Sequence, residues 1–287
     1  MLKELTVFYR GALETCNYAC DYCPFAKSKE TSQKKAKDIA GLDSFISWIA
    51  NNTDINFNIF FTPWGEALVF KRYQQAIKQL AVMPNVNKII FQTNLSSKLD
   101  FLAEINSSKL RLWCTYHPTE VARQKFISKT KLLDSNNVKY SVGVVGKPDL
   151  FDEIQQLRKE LNPSTYLWIN AYVDKDQHYI YTEEQRLFLT AIDPLFPFNK
   201  PYVSIDLPCS TGEDAIVVDE CGDIYRCHFI KQVIGNIHQN NWQQILQERV
   251  CRRGFCDCHI GYIFLKSLNF KRIFGKQALE RIMLIEL

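Results

Sequence analysis

Residues 2–24 read LKELTVFYRGALETCNYACDYCP. The apolar run Leu2–Tyr9 has the β-branched and aromatic content of a strand. It leads into Cys16, Cys20 and Cys23 in the spacing C-x3-C-x2-C. Three thiolates on one short loop can hold three irons of a [4Fe–4S] cluster and leave the fourth iron open to an exchangeable ligand, since cysteine thiolates are the usual protein ligands of such clusters. A zinc site more often shows two separated cysteine pairs closing a tetrahedron. A disulfide fits poorly, because the opening MLKELTVFYR is too polar and too short for a secretory h-region. Zinc and plain buried thiols stay open as alternatives.

Working outward, the 287 residues suffice for one large α/β domain with an appendage, or for two domains. Hydrophobic residues make up 46%, enough for a sizeable core. The net charge of +4 gives no reason to expect nucleic acid. No apolar run approaches the roughly 18 residues of a membrane span. Ten cysteines without a secretory segment point to a reducing, cytoplasmic setting and to metal use.

Strand-like runs recur at Leu2–Tyr9, Ile55–Phe61, Asn87–Gln92, Leu110–Thr115, Lys139–Val145 and Thr165–Tyr172. Helical patterns lie between and after them, at Leu42–Asn51, Ala67–Ala81, Lys98–Asn106, Thr119–Ser135, Asp149–Leu161 and Glu183–Ala191. Thr182 with Gln185 forms a capping box for the last. Six β-then-α units predict a parallel sheet with helices outside. Ligands of such folds gather at the carboxyl ends of the strands, where the cysteine loop falls. The lysine-rich stretch at 27–37 lacks apolar periodicity and reads as a solvated loop, or as a mobile cover over the cysteines. Prolines crowd residues 194–208 as in a surface linker, and Phe270–Leu287 reads as a short amphipathic helix.

The loop C-x3-C-x-aromatic-C, with Tyr22 as the aromatic, resembles the cluster loop of radical S-adenosylmethionine (SAM) enzymes. The resemblance implies that Cys16, Cys20 and Cys23 hold the catalytic cluster and that SAM chelates its open iron. SAM cleavage would then give a 5′-deoxyadenosyl radical that abstracts hydrogen from a substrate, with a flavodoxin- or ferredoxin-type protein as electron donor. It implies a partial (β/α)6 TIM-type barrel, in agreement with the six units read from the pattern. Gly65-Glu66, after the second strand, keep the core of the family's GGEP-like segment, which receives the SAM amino group; Trp64 and Ala67 replace its flanks. The chemistry needs an acceptor edge for an ammonium and a glycine for close backbone approach. Thr93 and Asn94 end strand three like the family's polar strand end, and His117 follows strand four at the mouth, as a candidate catalytic imidazole or a hydrogen-bonded loop histidine. By strand position, Ser141 and Asn170 are candidates for contact with SAM. Asp174, Asp176 and His178, after strand six, are candidate substrate contacts or solvated loop residues.

A second cysteine group follows: Cys209-x12-Gly222-x4-Cys227, then Cys251, Cys256 and Cys258. Ala215–Asp219 and Ile224–Arg226 read as a hairpin that brings Cys209 and Cys227 together. The pattern, with IGN at 234–236 and Trp242, resembles the SPASM or twitch extension of radical SAM enzymes. Five candidate ligands imply one auxiliary [4Fe–4S] cluster on Cys209, Cys227 and two of the last three, with Cys256 and Cys258 favoured. A structural zinc is the alternative. Cys114 and Cys221 read as ordinary thiols. This divides the chain into a barrel at 1–195 and a twitch/SPASM-like domain at 196–287. The start YRGALETCNYACDYCPFAK and the tail motifs CDCHIGY (256–262) and ALERI (278–282) resemble bacterial radical SAM proteins encoded beside a second radical SAM protein and a sulfatase-like protein. That narrower resemblance names a gene neighbourhood and not a substrate; the reading favoured is a radical SAM oxidoreductase that modifies or crosslinks a ribosomal peptide. Many family members that do so carry a leader-binding domain before the barrel; none is expected here, so the peptide would be leaderless or separately guided. Dehydrogenation or rearrangement of a small metabolite is the other substrate reading, and a non-enzymatic iron–sulfur or zinc protein the other class.

Overall fold

The computed structural model describes residues 3–23, 25, 28–105, 107–174 and 177–283. Six strands, β1 (Lys3–Arg10), β2 (Ile55–Phe61), β3 (Val86–Thr93), β4 (Leu110–Thr115), β5 (Lys139–Val145) and β6 (Leu167–Asn170), pair in parallel in chain order. The helices are α1 (Ser32–Asn51), α2 (Lys71–Ala81), α3 (Arg123–Ser135), α4 (Phe151–Glu160) and α5 (Glu183–Ile192). Beyond β1 the sheet continues. Ala215–Asp219 pairs with β1 in parallel, from Thr6↔Ala215 to Arg10↔Asp219, and Asp223–Cys227 and Ile230–Asn236 follow antiparallel, giving nine strands. Gly222 makes the predicted hairpin turn at φ +80°, a conformation costly for residues with a Cβ.

Each strand divides its side chains between two faces. Leu5, Val7, Ile59, Phe61, Ile89, Phe91, Leu112, Val142, Val144 and Ile169 belong to the large core under the helices. Phe8, Phe60, Ile90, Trp113 and Trp168 belong to a second cluster on the inner face. There Phe8 meets Phe60, Phe60 stacks on Trp113 and Trp113 meets Trp168 edge-on, with ring centroids 5.5, 5.8 and 5.0 Å apart. Because both faces are covered, the strands read as unbroken apolar runs. The inner cover is the C-terminal segment: Ile260 and Leu279 pack into the second cluster, and Arg281 lies over the Trp113 and Trp168 rings. Fully buried Glu280 pairs with Lys88 at 2.9 Å.

Several expectations are corrected. α1 begins at Ser32, so residues 32–37 are helix and not loop; Lys27 lies outside the described residues. Thr31 caps α1 by accepting from Lys34 N–H. The apolar period stops short of these turns because the next inward residue is Asp38, a buried carboxylate that accepts from Arg72 Nε and Tyr73 Oη. Between β3 and β4 the described residues form only 3₁₀ turns, Asp100–Glu104 and Ser107–Lys109, where a helix was expected at Lys98–Asn106; Asn106 itself is not among them. The C-terminal stretch is helical at Lys271–Phe274 and 3₁₀ at Gly275–Gln277, then turns inward; residues 284–287 lie outside the described set. The Thr182–Gln185 capping box is present.

A Cβ built on Gly143 of β5 would lie 1.9 Å from Trp168 Cζ2. Gly143→Ala should therefore destabilise the protein by about 1–3 kcal/mol, the usual cost of overpacking. Urea unfolding checks this, and an unchanged midpoint would mean that Trp168 is free to move.

Candidate active site

The cysteine loop leaves the carboxyl end of β1 and is fixed by the segment after β2. Trp64 N–H donates to Leu13 O at 3.2 Å and Glu66 N–H to Thr15 O at 3.1 Å. Between them Gly65 passes so close that an added Cβ would lie 2.0 Å from Thr15 O. Glycine at 65 is thus required by the approach of two backbones, before any ligand is considered. Glu66 is buried, and its carboxylate accepts from Thr93 Oγ1 at 2.8 Å, Asn94 N at 2.5 Å and Leu68 N at 3.2 Å. It ties the end of β2 to the end of β3 and caps the turn Ala67–Val69. Burial pushes its carboxyl up to about 7, against the pull of those three donors. A carboxylate has about four lone-pair sites, so one remains for a ligand.

The three cysteines lie near enough on their loop to act on one another electrostatically, while among the described residues no three His, Cys, Asp or Glu side chains converge as a single bound ion would need. Cys16 Sγ receives Tyr18 N–H at 3.4 Å and Asn94 Nδ2 at 3.8 Å. Cys20 Sγ and Tyr22 Oη lie 3.3 and 3.0 Å from His117 Nδ1, and the Tyr22 and His117 rings stack. Burial raises the Cys16 thiol and pushes Cys20 up to about 12, with the neighbouring thiols adding to both. Burial also lowers His117 to about 4, so its imidazole is neutral at pH 7. His117 therefore backs the cysteine loop rather than standing free at the mouth.

Asn170 ends β6 half-buried, its carbonyl accepting from Gly146 N–H. Ser141 lies fully buried on β5, beside Trp113 in register, and its hydroxyl donates to Glu280 O at 2.7 Å. The C-terminal segment covers it. Asp174 and His178 are exposed on the two-residue strands Val173–Asp174 and Gln177–His178; Asp176 lies outside the described residues.

In the second group, Cys209, Cys251 and Cys256 are buried and Cys227 is half-buried. Burial pushes the Cys256 thiol up to about 12, reinforced by Cys251, then Cys227, then Cys209, and least by Cys258. Cys258 instead packs against the inner aromatic cluster, where the charges of Arg281 and Arg10 act on it. Of these thiols Cys251 acts most strongly on Cys256. Among the described residues no three His, Cys, Asp or Glu side chains converge as a single bound ion would need. Cys114 is a buried core thiol and Cys221 an exposed turn thiol, as expected.

Two inner residues have no counterpart in the sequence reading. Arg10 Nε donates to Thr62 O at 3.0 Å, and His228 Nε2 lies 3.4 Å from Thr62 Oγ1 with its ring against Phe8. Arg10 was legible as the residue joining strand one to the cysteine loop; His228 follows a ligand-like cysteine and carries no other signal.

No protein-family model and no curated protein matches the chain. Solved structures match its fold. Native anSMEcpe with bound AdoMet and the Cp18Cys peptide is similar over 84% of this chain and 79% of that one, at a TM-score of 0.55 and 15% identity. Streptococcus suis SuiB bound to S-adenosylmethionine is similar over 86% of this chain and 66% of that one, at 0.58 and 12%. The chain thus has the mostly parallel, TIM-type α/β fold of these AdoMet-bound proteins. Among the described residues no helix is long and apolar enough to cross a membrane.

A carboxyl with a raised folded-state pKa holds its proton longer in the folded than in the unfolded chain. Its contribution to stability is present below about 4.5 and is lost as the pH rises through about 7. The stability of the wild type relative to Glu66→Gln should fall across that window and level off above it. Urea unfolding of both proteins from pH 4.5 to 8 measures this, and a flat difference would show a carboxylate already ionised at the lower limit.

Proposed function

We propose that this chain is a radical SAM enzyme, with its catalytic cluster on Cys16, Cys20 and Cys23 and one auxiliary [4Fe–4S] cluster on Cys209, Cys227, Cys251 and Cys256. The observation that carries the reading is the meeting, at the carboxyl ends of parallel strands, of a three-thiol loop with the Gly65–Glu66 edge and Asn94. The donor set fits the group by its chemistry: three cysteine thiols share one short loop, and Cys16 already receives two N–H donors of the kind that favour a thiolate. When bound, the cluster and SAM supply reductive cleavage to a 5′-deoxyadenosyl radical, and hence hydrogen abstraction.

The chain's own residues orient and shield that chemistry. Tyr22 and neutral His117 wall the loop on one side. Asn94 links Cys16 to Asn17 Oδ1, fixing the loop against the end of β3. Glu66 offers its remaining lone pair to the SAM ammonium, and Thr93 holds that carboxylate in place. Asn170, on the rim, contacts SAM or substrate. Cys209, Cys227, Cys251 and Cys256 would supply one thiolate to each iron of the second group, which would then serve in electron transfer. The boundary near residue 195 separates the barrel from the twitch/SPASM-like part. A ribosomal peptide is the favoured substrate, supported by the peptide bound to the similarly folded anSMEcpe. A flavodoxin- or ferredoxin-type protein of the cytoplasm supplies electrons.

Anaerobic reconstitution with SAM and dithionite should yield 5′-deoxyadenosine and about eight irons per chain. Replacing Cys16, Cys20 and Cys23 together by alanine should remove about half the iron and all SAM cleavage. Cys251→Ala should lose the second cluster, and Cys258→Ala should keep it. Replacing Cys209 and Cys227 should abolish product while 5′-deoxyadenosine formation continues. Zinc in the second group, or no 5′-deoxyadenosine from fully loaded protein, would refute the reading.

A further inference from the structure

Among the described residues, only one of the five histidines brings a ring nitrogen to a cysteine sulfur. His117 Nδ1 lies 3.3 Å from Cys20 Sγ, closer than the 3.8 Å between Asn94 Nδ2 and Cys16 Sγ. The imidazole stands on a fixed frame at the end of β4. Tyr116 N–H donates to Gly143 O at 2.8 Å, and His117 O accepts from Glu120 and Val121 N–H at 3.0 and 3.1 Å. Tyr22 stacks on the ring with planes 16° apart, and Tyr18 meets it edge-on. Tyr22 Oη lies 3.0 Å from the same Nδ1 and is also bonded to the Thr119 hydroxyl.

A neutral imidazole carries its one ring proton on Nδ1 or on Nε2. No hydrogen bond among the described residues holds His117 Nε2, so the contacts at Nδ1 decide where the proton sits. A Cys20 thiol can donate to a bare Nδ1. A thiolate bound to iron has no proton and can only accept. Beside a thiolate the favoured tautomer therefore has its proton on Nδ1. Tyr22 is compatible with that state, because its oxygen can accept from the same N–H while its own proton goes to Thr119.

We propose that in the loaded protein His117 donates an Nδ1–H hydrogen bond to the Cys20 thiolate and thereby raises the reduction potential of the first cluster. Reduction adds negative charge to the cluster, and a donor on a ligating sulfur favours the more negative state. The donor comes from the end of β4 and not from the cysteine loop, so the barrel itself tunes the cluster. This rests on the assignment of Cys16, Cys20 and Cys23 to that cluster.

The test is an EPR-monitored redox titration of the anaerobically reconstituted protein, with the first cluster identified by the change of its signal on adding SAM. His117→Phe keeps a ring to stack on Tyr22 but has no N–H. Its first-cluster midpoint should fall by about 59 mV, a tenfold change in one-electron reduction. His117→Asn returns an N–H near the place of Nδ1 and should recover part of the shift, and the second cluster should not move in either variant. A merely structural role would lower iron content and leave the midpoint of the loaded fraction where it is. In wild type grown with nitrogen-15 histidine, pulsed EPR of the reduced first cluster should show a histidine nitrogen coupling. Should His117→Phe load poorly, that coupling carries the test alone. An unchanged midpoint in loaded His117→Phe, or no histidine coupling in wild type, would overturn the proposal while leaving the enzymatic reading intact. Wild type with full iron and no SAM-sensitive signal would refute that reading and this proposal with it.

Discussion

The five-residue parallel pairing of Ala215–Asp219 with β1 is the constraint on which the rest of the molecule depends. β1 delivers the N-terminal cysteine loop from its carboxyl end. Its new neighbour runs the same way, so Cys209, which precedes that strand, and Cys227, at the end of the return strand, lie toward the opposite end. The N-terminal loop and Cys227 are therefore joined to one continuous sheet at opposite ends, and Cys209 and Cys256 lie on separate two-stranded pairings. Under the proposed reading this is what the chemistry needs: an oxidising group that shares a rigid frame with the initiating one and stays apart from it.

The inner face also explains why the C-terminal segment folds inward. A sheet with aromatic residues on its concave side must cover them. Ile260, Leu279 and the flat side of Arg281 do so at the aromatic row. Reaching that position places Glu280 inside the protein, where a lone carboxylate would be prohibitive. Lys88 supplies the counter-charge, and Ser141 donates to the Glu280 backbone. Such pairs return little net stability against an apolar equivalent but are costly to break, by about 3–5 kcal/mol. The pair thus fixes which residue follows it, and that residue is Arg281.

Much of this was written in the local sequence. Three strands were bounded to the residue at Ile55–Phe61, Leu110–Thr115 and Lys139–Val145, because strong β-formers stop there at turn residues. The cysteine spacing named its own loop, and the turn at Gly222 named its hairpin. What was missed has a common cause, which is that polar residues stood in buried positions. Asp38 hid the first turns of α1 because its partners, Arg72 and Tyr73, are remote in sequence. Ser141 looked like a strand-end contact because nothing local revealed that Glu280 would cover it. The choice between Cys251 and Cys258 depends on how residues 251–262 turn, and spacing alone cannot decide that.

The Gly65–Glu66 pair shows how closely scaffold and chemistry are joined. Gly65 lets the β2 end pass within hydrogen-bonding reach of Thr15, and Glu66 fastens that end to β3 through Thr93 and Asn94. Asn94 in turn reaches Cys16. A chain of contacts therefore runs from two strand ends to a thiol, and most of it consists of backbone groups that side-chain substitution leaves in place. Under the proposed reading, losing the Glu66 carboxylate would take away a ligand contact and also loosen the loop that carries the thiols. Binding alone cannot separate these roles, but the ionisation of the carboxyl can, because the structural ties and a bound ammonium favour the charged form while burial opposes it. On this view the raised pKa of Glu66 belongs to a site built to gain one more donor: its charge is held back by burial until a cation arrives to complete the set.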